Sequence, residues 1–216
     1  MDGRFITVKG IGNVTAKPDL IIITMNLSTI TPTYELTMKK ATDEIELIRN
    51  ALLSVGYERQ DLKTTDFNIE TQYDSYKDKA GNYQRRFSGY KCSHSLKLEF
   101  DLNIKQLGET LTAISTCGVS PEFQIAFSIK DKNAISEELL ENAIMNAKEK
   151  AAILTKAAGV KLSTIQRIDY SWGEIYINSQ TKYNDLMLME AGTSPMEIEP
   201  DDIDANDSVT IVWAIE

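Results

Sequence analysis

The chain has 216 residues, of which 42% are hydrophobic and 25% are charged, and it carries a formal net charge of -9. This composition is typical of globular proteins, and the excess of acid repels phosphate backbones, so we expect no nucleic-acid partner. No apolar run approaches the roughly 20 residues that a helix needs to cross a bilayer, so we expect no transmembrane segment.

The chain opens with two predicted strands and a helix. Apolar residues between positions 5 and 12 predict the first strand, in which Gly10 and Gly12 indicate a turn or bulge. A buried run after Pro18 predicts the second strand. Apolar residues at helical spacing predict a helix over positions 34–55.

Two further strands form a long predicted hairpin. Apolar and polar residues alternate over positions 62–76 and again over 87–102, which is the pattern of half-buried strands. The polar stretch 78–82 between them contains a glycine and has turn chemistry. We expect this hairpin to protrude from the domain near positions 74–90.

A second helix and another strand follow the hairpin. Asn103 is a suitable N-cap, and the apolar stripe of this helix ends at Gly118. A strand over positions 122–130 comes next, with apolar side chains on one face. Between positions 19 and 130 the chain therefore reads strand, helix, strand, strand, helix, strand, which is the split βαβ, or ferredoxin-like, order.

A long helix that begins near position 133 organises the last third of the chain. Ala143, Ala147 and Ala151 recur four residues apart on its apolar face. Such small side chains allow a helix axis to lie close to whatever it covers. Gly159 predicts a left-handed cap at the end of this helix, and a strand over positions 163–170 follows.

The chain closes with a strong predicted strand over positions 208–215. The segment before it, 181–207, is rich in methionine and acid, and we predict that it is flexible. A terminal strand usually ties the C-terminus into a sheet, so we expect one domain over positions 1–216. Its predicted class is α+β, with an antiparallel or mixed sheet and helices packed on one face.

Five stretches, in order along the chain, carry a resemblance to a known family. They are ITVKGIGNVTAKPD from Ile6, the segment with Thr64, Thr65, Phe67 and Tyr73, GYKCSHSLKLEF from Gly89, AIMNAKEKAAILTKAAGVKLSTI from Ala143 and DDIDANDSVTIVWAI from Asp201. Together they resemble the SIMPL, or DUF541, domain. The resemblance implies an α+β fold, frequent high-order oligomers that are ring-like or channel-like in some members, and no shared catalytic residues. It also implies export to the periplasm or cell surface for most bacterial members, links to oxidative stress for some, and kinase-associated signalling for an animal member.

The first residues of the chain show no signal-peptide pattern. We therefore expect a soluble cytoplasmic protein, the alternative being a cell-envelope or secreted location if the sequence is a trimmed form. The two cysteines, Cys92 and Cys117, have neither the number of a disulfide framework nor the spacing of metal ligands. We expect buried, inert thiols.

The residues with reactive side chains are interpreted as structural. His94 is the only histidine and shares a strand face with Cys92, two residues away, so a Cys/His hydrolase is one alternative. No nucleophile motif surrounds this pair. The Gly10-x-Gly12 sequence lacks the third glycine and the following helix of a dinucleotide loop. We predict no catalytic site, no metal and no cofactor.

The aromatic and arginine residues of the hairpin are the candidate site. Such residues are enriched at binding hot spots, and cross-strand stabilisation of a long hairpin is the alternative reading. The residues that we predict to contact another protein are Tyr76, Tyr83, Arg85, Arg86 and Phe87.

The leading prediction is a non-enzymatic assembly or interaction protein, related to stress, that forms a homo-oligomer in which this hairpin packs on a neighbouring subunit. The second function class is a small-molecule binding module on a ferredoxin-like sheet, which rests on fold analogy.

Overall fold

The computed structural model describes residues 3–79, 81–170, 175, 177–181 and 198–216. In chain order the elements are β1 (Phe5–Ala16), β2 (Leu20–Thr31), α1 (Tyr34–Ser54), β3 (Lys63–Lys77), β4 (Tyr83–Asp101), α2 (Ile104–Ser115), β5 (Glu122–Ser128), α3 (Lys132–Ala158), β6 (Leu162–Tyr170) and β7 (Ile203–Ile215). Within the described residues the strands form two antiparallel sheets, which confirms the predicted α+β class.

The chain divides into two compact units, each with its own sheet. The first unit consists of Met1–Asp19, Ser128–Gln180 and Pro200–Glu216, and the second of Leu20–Phe127 and Thr181–Glu199. That positions 1–216 form one domain stays a prediction.

The sheet of the second unit has the strand order β3-β4-β2-β5. β4 lies between β2 and β3 and runs antiparallel to both, so the two strands joined by α1 are separated by an inserted strand. This is the predicted split βαβ arrangement. The Asn103 side chain accepts from the Gln106 amide, as predicted for the N-cap of α2, and Thr33 caps α1 in the same way by accepting from the Leu36 amide. The helices contribute Ile48, Leu52, Leu107, Leu111 and Ile114 to the core.

The sheet of the first unit has the order β1-β7-β6 and carries α3 on one face. Ala143, Ala147 and Ala151 are fully buried against this sheet, as their spacing predicted. The opposing strands contribute Val8, Val209, Ile211 and Trp213. Gly159 ends the helix with φ of 71°, which is the predicted left-handed cap.

Gly10 and Gly12 do not form the predicted turn or bulge. The pairing of β1 with β7 runs without a register shift from Phe5 opposite Ala214 to Ala16 opposite Ile203. A Cβ atom at Gly12 would lie 1.9 Å from the carbonyl oxygen of Leu139, and one at Gly10 would lie 2.0 Å from that of Ala143. The two glycines therefore allow the backbone of α3 to lie directly on β1.

Side chains of α3 also bind the outer edge of β1. Asn146 Oδ1 accepts from the Ile11 amide at 3.0 Å, Asn142 Nδ2 donates to the Asn13 carbonyl at 3.3 Å, and Lys150 Nζ donates to the Lys9 carbonyl at 3.3 Å. These bonds use main-chain groups that would otherwise accept another strand, so α3 closes this edge of the sheet.

The terminal strand is longer than predicted. β7 begins at Ile203, before the predicted start at position 208, because Ile203 and Ala205 continue the buried face of the strand. The end of the segment predicted to be flexible therefore belongs to the sheet. Positions 182–197 of that segment lie outside the described residues.

Candidate interaction site

The end of the β3–β4 hairpin extends past the sheet of its unit. The pairing of β2 with β4 stops at Thr31 opposite Tyr90, whereas the pairing of β3 with β4 continues to Lys77 opposite Tyr83. Residues 73–77 and 83–87, here called the arm, thus form a two-stranded ribbon with no third strand among the described residues. Isolated ribbons of this kind are only marginally stable in water.

A bulge lies at the base of the arm. Gln72 pairs with Gly89 but Tyr73 pairs with Phe87, so one extra residue of β4 is inserted between these pairs. Gly89 has φ of 149°, and a Cβ atom there would lie 2.5 Å from the carbonyl oxygen of Thr31. Glycine is therefore needed where β4 passes the end of β2 and enters the arm.

One face of the arm, here called the ring face, carries three aromatic rings and two cations. Its members are Tyr73, Lys77, Tyr83, Arg85 and Phe87, which share a face because Tyr73 stands opposite Phe87 and Lys77 opposite Tyr83. Tyr83 is 75% exposed, and the other two rings are almost half exposed. Arg85 lies 5.0 Å from the ring centroid of Tyr73, and Lys77 lies 5.0 Å from that of Tyr83. Large rings held by neighbouring cations form a pre-organised surface.

The five residues predicted from the sequence are divided between the two faces of the arm. Tyr83, Arg85 and Phe87 lie together on the ring face. Tyr76 and Arg86 lie on the opposite face, since they alternate with those residues along each strand. Alternation along β4 alone separates Arg86 from Arg85, whereas the face of Tyr76 relative to β4 depends on the strand register, which could not be fixed from the sequence.

The aromatic row continues from the arm onto the body of the second unit. Phe87 contacts Tyr73 at a centroid distance of 5.9 Å and Tyr90 at 5.4 Å. Tyr90 in turn contacts Tyr34, at the start of α1, at 5.9 Å. Tyr34 was not among the residues predicted from the sequence, because it is far from the hairpin in the chain and no local pattern joins the two.

Cys92 and His94 lie on the same buried face of β4, as their spacing predicted. His94 Nε2 lies 2.9 Å from the Thr64 hydroxyl, and the imidazole meets the Phe67 ring edge-on. Cys92 and His94 each expose 5% or less of their surface, so the pair does not face solvent.

The electrostatics of this pair oppose a nucleophilic role. Burial raises the pKa of the Cys92 thiol, and the Glu44 carboxylate adds to the rise. Burial also lowers the pKa of His94, with a further contribution from Arg49 and an opposing one from Asp66. Both groups are therefore held neutral, whereas a cysteine nucleophile needs a thiolate beside a protonated or basic partner.

Among the described residues, no three His, Cys, Asp or Glu side chains form a group able to hold a metal ion. In the same residues, no helix has both the length and the apolar character needed to cross a membrane.

The fold and the arm together define an α+β protein that carries a ferredoxin-like sheet and an exposed aromatic hairpin. The chain belongs to the SIMPL family, proteins of unknown function (DUF541), whose family model matches residues 6–213. This confirms the resemblance seen in the sequence.

Two curated relatives are each 28% identical to this chain over 163 residues. Both are named 26 kDa periplasmic immunogenic protein, one from Brucella melitensis biotype 1 and one from Brucella abortus strain S19. The match covers 76% of this chain and 65% of each relative. The prediction of a cytoplasmic location is wrong, because both relatives are named as periplasmic. That prediction was based on the first residues of the given sequence, which is a poor basis because the chain matches only part of its relatives.

Proposed function

We propose that this chain is a non-enzymatic protein of the cell envelope that assembles with other copies of itself through the ring face of the arm. The observation that carries the proposal is the exposure of three aromatic rings on a ribbon that extends past its sheet. Aromatic side chains beside Arg are the residues that most often dominate binding energy. A marginally stable ribbon also gains stability when a second surface covers it.

A non-enzymatic role is supported by the state of the one Cys/His pair. Both groups are buried, and burial raises the pKa of the thiol and lowers the pKa of the imidazole, so both are neutral. A Cys/His hydrolase would need the opposite arrangement, with a charged pair open to substrate. Small-molecule binding and a role in stress stay predictions, since fold analogy or family resemblance is their only support.

The assembly is tested by weakening the ring face and, separately, the opposite face of the same arm. We expect Tyr83→Ser combined with Phe87→Ser to lower the mass measured by light scattering. Tyr76→Ser is the matched control, because Tyr76 is half exposed but lies on the other face. An unchanged mass in the double variant, or the same loss in the control, would rule the proposal out.

The envelope location rests on the relatives named as periplasmic. We expect the protein, produced from its complete gene in its own host, to appear in the fraction released by osmotic shock. A cytoplasmic marker enzyme measured in the same fractions serves as the control. Recovery of the protein in the same fractions as that cytoplasmic marker would contradict the proposed location.

A further inference from the structure

The exposed side of α3 carries a row of apolar and acidic side chains, here called the outer row, which consists of Met145, Glu149 and Ile153. Each member follows a buried alanine of the helix by two residues, a step of about 200° around the axis. The row therefore lies opposite the face that packs on the sheet. Met145 is 59% and Ile153 is 67% exposed, and Glu149 between them is exposed as well. Two large apolar side chains with an acid between them are thus open to a partner.

The ring face of the arm carries a row of matching order and length. Along β4 it presents Tyr83, Arg85 and Phe87, which are two rings with a cation between them. Residues two apart in a strand are separated by about 6.7 Å, so this row is about 13 Å long. Residues four apart in a helix are separated by about 6 Å along the axis, so the outer row is about 12 Å long. The two rows therefore agree in spacing and carry opposite charges at their centres.

The two central charges have no ion pair to give up. In the part of the chain that the structure describes, neither Glu149 nor Arg85 belongs to a salt bridge. The contact of Arg85 with the Tyr73 ring, at 5.0 Å, holds the guanidinium on the ring face without neutralising it. A carboxylate and a guanidinium in this state gain an ion pair when they meet and lose none.

The distribution of charge along α3 sets the direction of the match. Glu141 precedes Met145 by one turn on the same side of the helix, whereas Lys156 lies in the last turn. On the arm, Lys77 stands opposite Tyr83. When Tyr83 meets Met145, Lys77 lies toward the acidic end of the row. The reverse direction would bring Lys77 toward Lys156, and like charges that face each other weaken a contact.

We propose that the outer row of α3 binds the ring face of the arm of a second copy of this chain. The facing pairs are Tyr83 with Met145, Arg85 with Glu149 and Phe87 with Ile153. The inference rests on the proposed function, because it names the surface that the arm meets in self-assembly. Rings that cover Met and Ile side chains bury apolar area on both sides of the central charges. The ion pair is thereby surrounded by contacts that exclude water.

Charge reversal at the centre of the two rows tests the contact. We expect Arg85→Glu and Glu149→Arg each to raise the dissociation constant of the assembly by about tenfold or more, since like charges then face each other. Asp43→Arg is the matched control, because it makes the same charge change at an exposed acid in the middle of α1. This control should leave the constant within about threefold of the original. Sedimentation at several protein concentrations measures all three variants.

A mixture of the two reversed variants tests whether the rows belong to different copies. Between a copy with Arg85→Glu and a copy with Glu149→Arg, both possible contacts of an arm with α3 join opposite charges. The equimolar mixture should therefore return the dissociation constant to within about threefold of the original. A mixture as weak as either variant alone, or a Glu149→Arg variant no weaker than Asp43→Arg, would overturn the inference.

The failure of this inference is distinguishable from the failure of the proposed function. If Glu149→Arg has no effect while Tyr83→Ser with Phe87→Ser still lowers the mass, the arm assembles on a surface other than α3. Only the inference is then wrong. If the mass of that double variant is unchanged, the ring face does not mediate assembly, and both proposals are wrong.

Cysteine pairs test the direction of the contact. In full chains that also carry Cys117→Ser, we expect Tyr83→Cys to form a disulfide with Met145→Cys of another copy in a glutathione redox buffer. Ile153→Cys is the control, because it lies about 12 Å further along α3, beyond the reach of a disulfide. Each variant oxidised alone should stay unlinked. Equal linkage at the two helix positions would contradict the direction, and Tyr83→Cys linked to itself would show that two arms contact each other instead of α3.

Discussion

The close contact between β1 and α3 predicts that a single added methyl group at Gly12 will destabilise the protein. The Cβ atom of Gly12→Ala would lie 1.9 Å from the Leu139 carbonyl oxygen and 2.9 Å from the Ala143 nitrogen. Both are backbone atoms of a helix and have no rotamer to change. The helix must therefore retreat by about 1.5 Å before the nearest contact reaches an ordinary distance of 3.4 Å.

The size of the effect follows from what this retreat disturbs. Overpacking of a tight interface costs about 1–3 kcal/mol, and the hydrogen bond from the Ile11 amide to Asn146 is worth about 1 kcal/mol more. We expect Gly12→Ala to lower the free energy of unfolding by about 2–4 kcal/mol. Urea titration followed by circular dichroism measures this as a fall in the midpoint.

The same substitution at Gly108 is the control. Gly108 lies inside α2, and a Cβ atom there meets no heavy atom within 4 Å. Because alanine has a higher helix propensity than glycine, we expect Gly108→Ala to raise the free energy of unfolding by up to about 1 kcal/mol. A free energy of unfolding for Gly12→Ala within about 0.5 kcal/mol of that of the original protein, the range of an ordinary surface change, would refute the predicted clash.

Three further predictions concern the second unit, each measured as a shift in the urea midpoint. Because the pKa of His94 is lowered in the folded protein, the imidazole of the unfolded chain is protonated first as the pH falls. The free energy of unfolding should therefore decline from about pH 7 downward, through the unfolded pKa of about 6.5. A decline of equal size in His94→Gln would contradict this cause. Gly89→Ala should cost about 2 kcal/mol, because φ of 149° and the close Thr31 carbonyl both exclude a Cβ atom, and a neutral result would show that the bulge relaxes freely. Asn103→Ala should cost about 1 kcal/mol through loss of the α2 cap, whereas Asn103→Ser should keep most of the stability.

Most of the fold could be predicted from the sequence because its signals are local. The 3.6-residue spacing of apolar side chains, the cap residues and the glycine stop gave the three helices close to their observed ends. Alternation of apolar and polar residues gave the hairpin strands, and their order along the chain gave the ferredoxin-like arrangement. The two-residue spacing of Cys92 and His94 likewise predicted that they share one face of β4, as they do in the structure.

Only the tertiary structure decided the features that join distant parts of the chain. Gly10 and Gly12 looked like a turn signal, since nothing beside them in the sequence reveals that α3 lies against them. The ring face likewise depends on strand register and on a bulge at the base of the arm, and a shift of one residue in register moves a side chain to the opposite face. Periodicity along a chain determines which elements form, but close approach and register are set by residues far apart in sequence, and these decided which side chains of this protein share a face and which are covered.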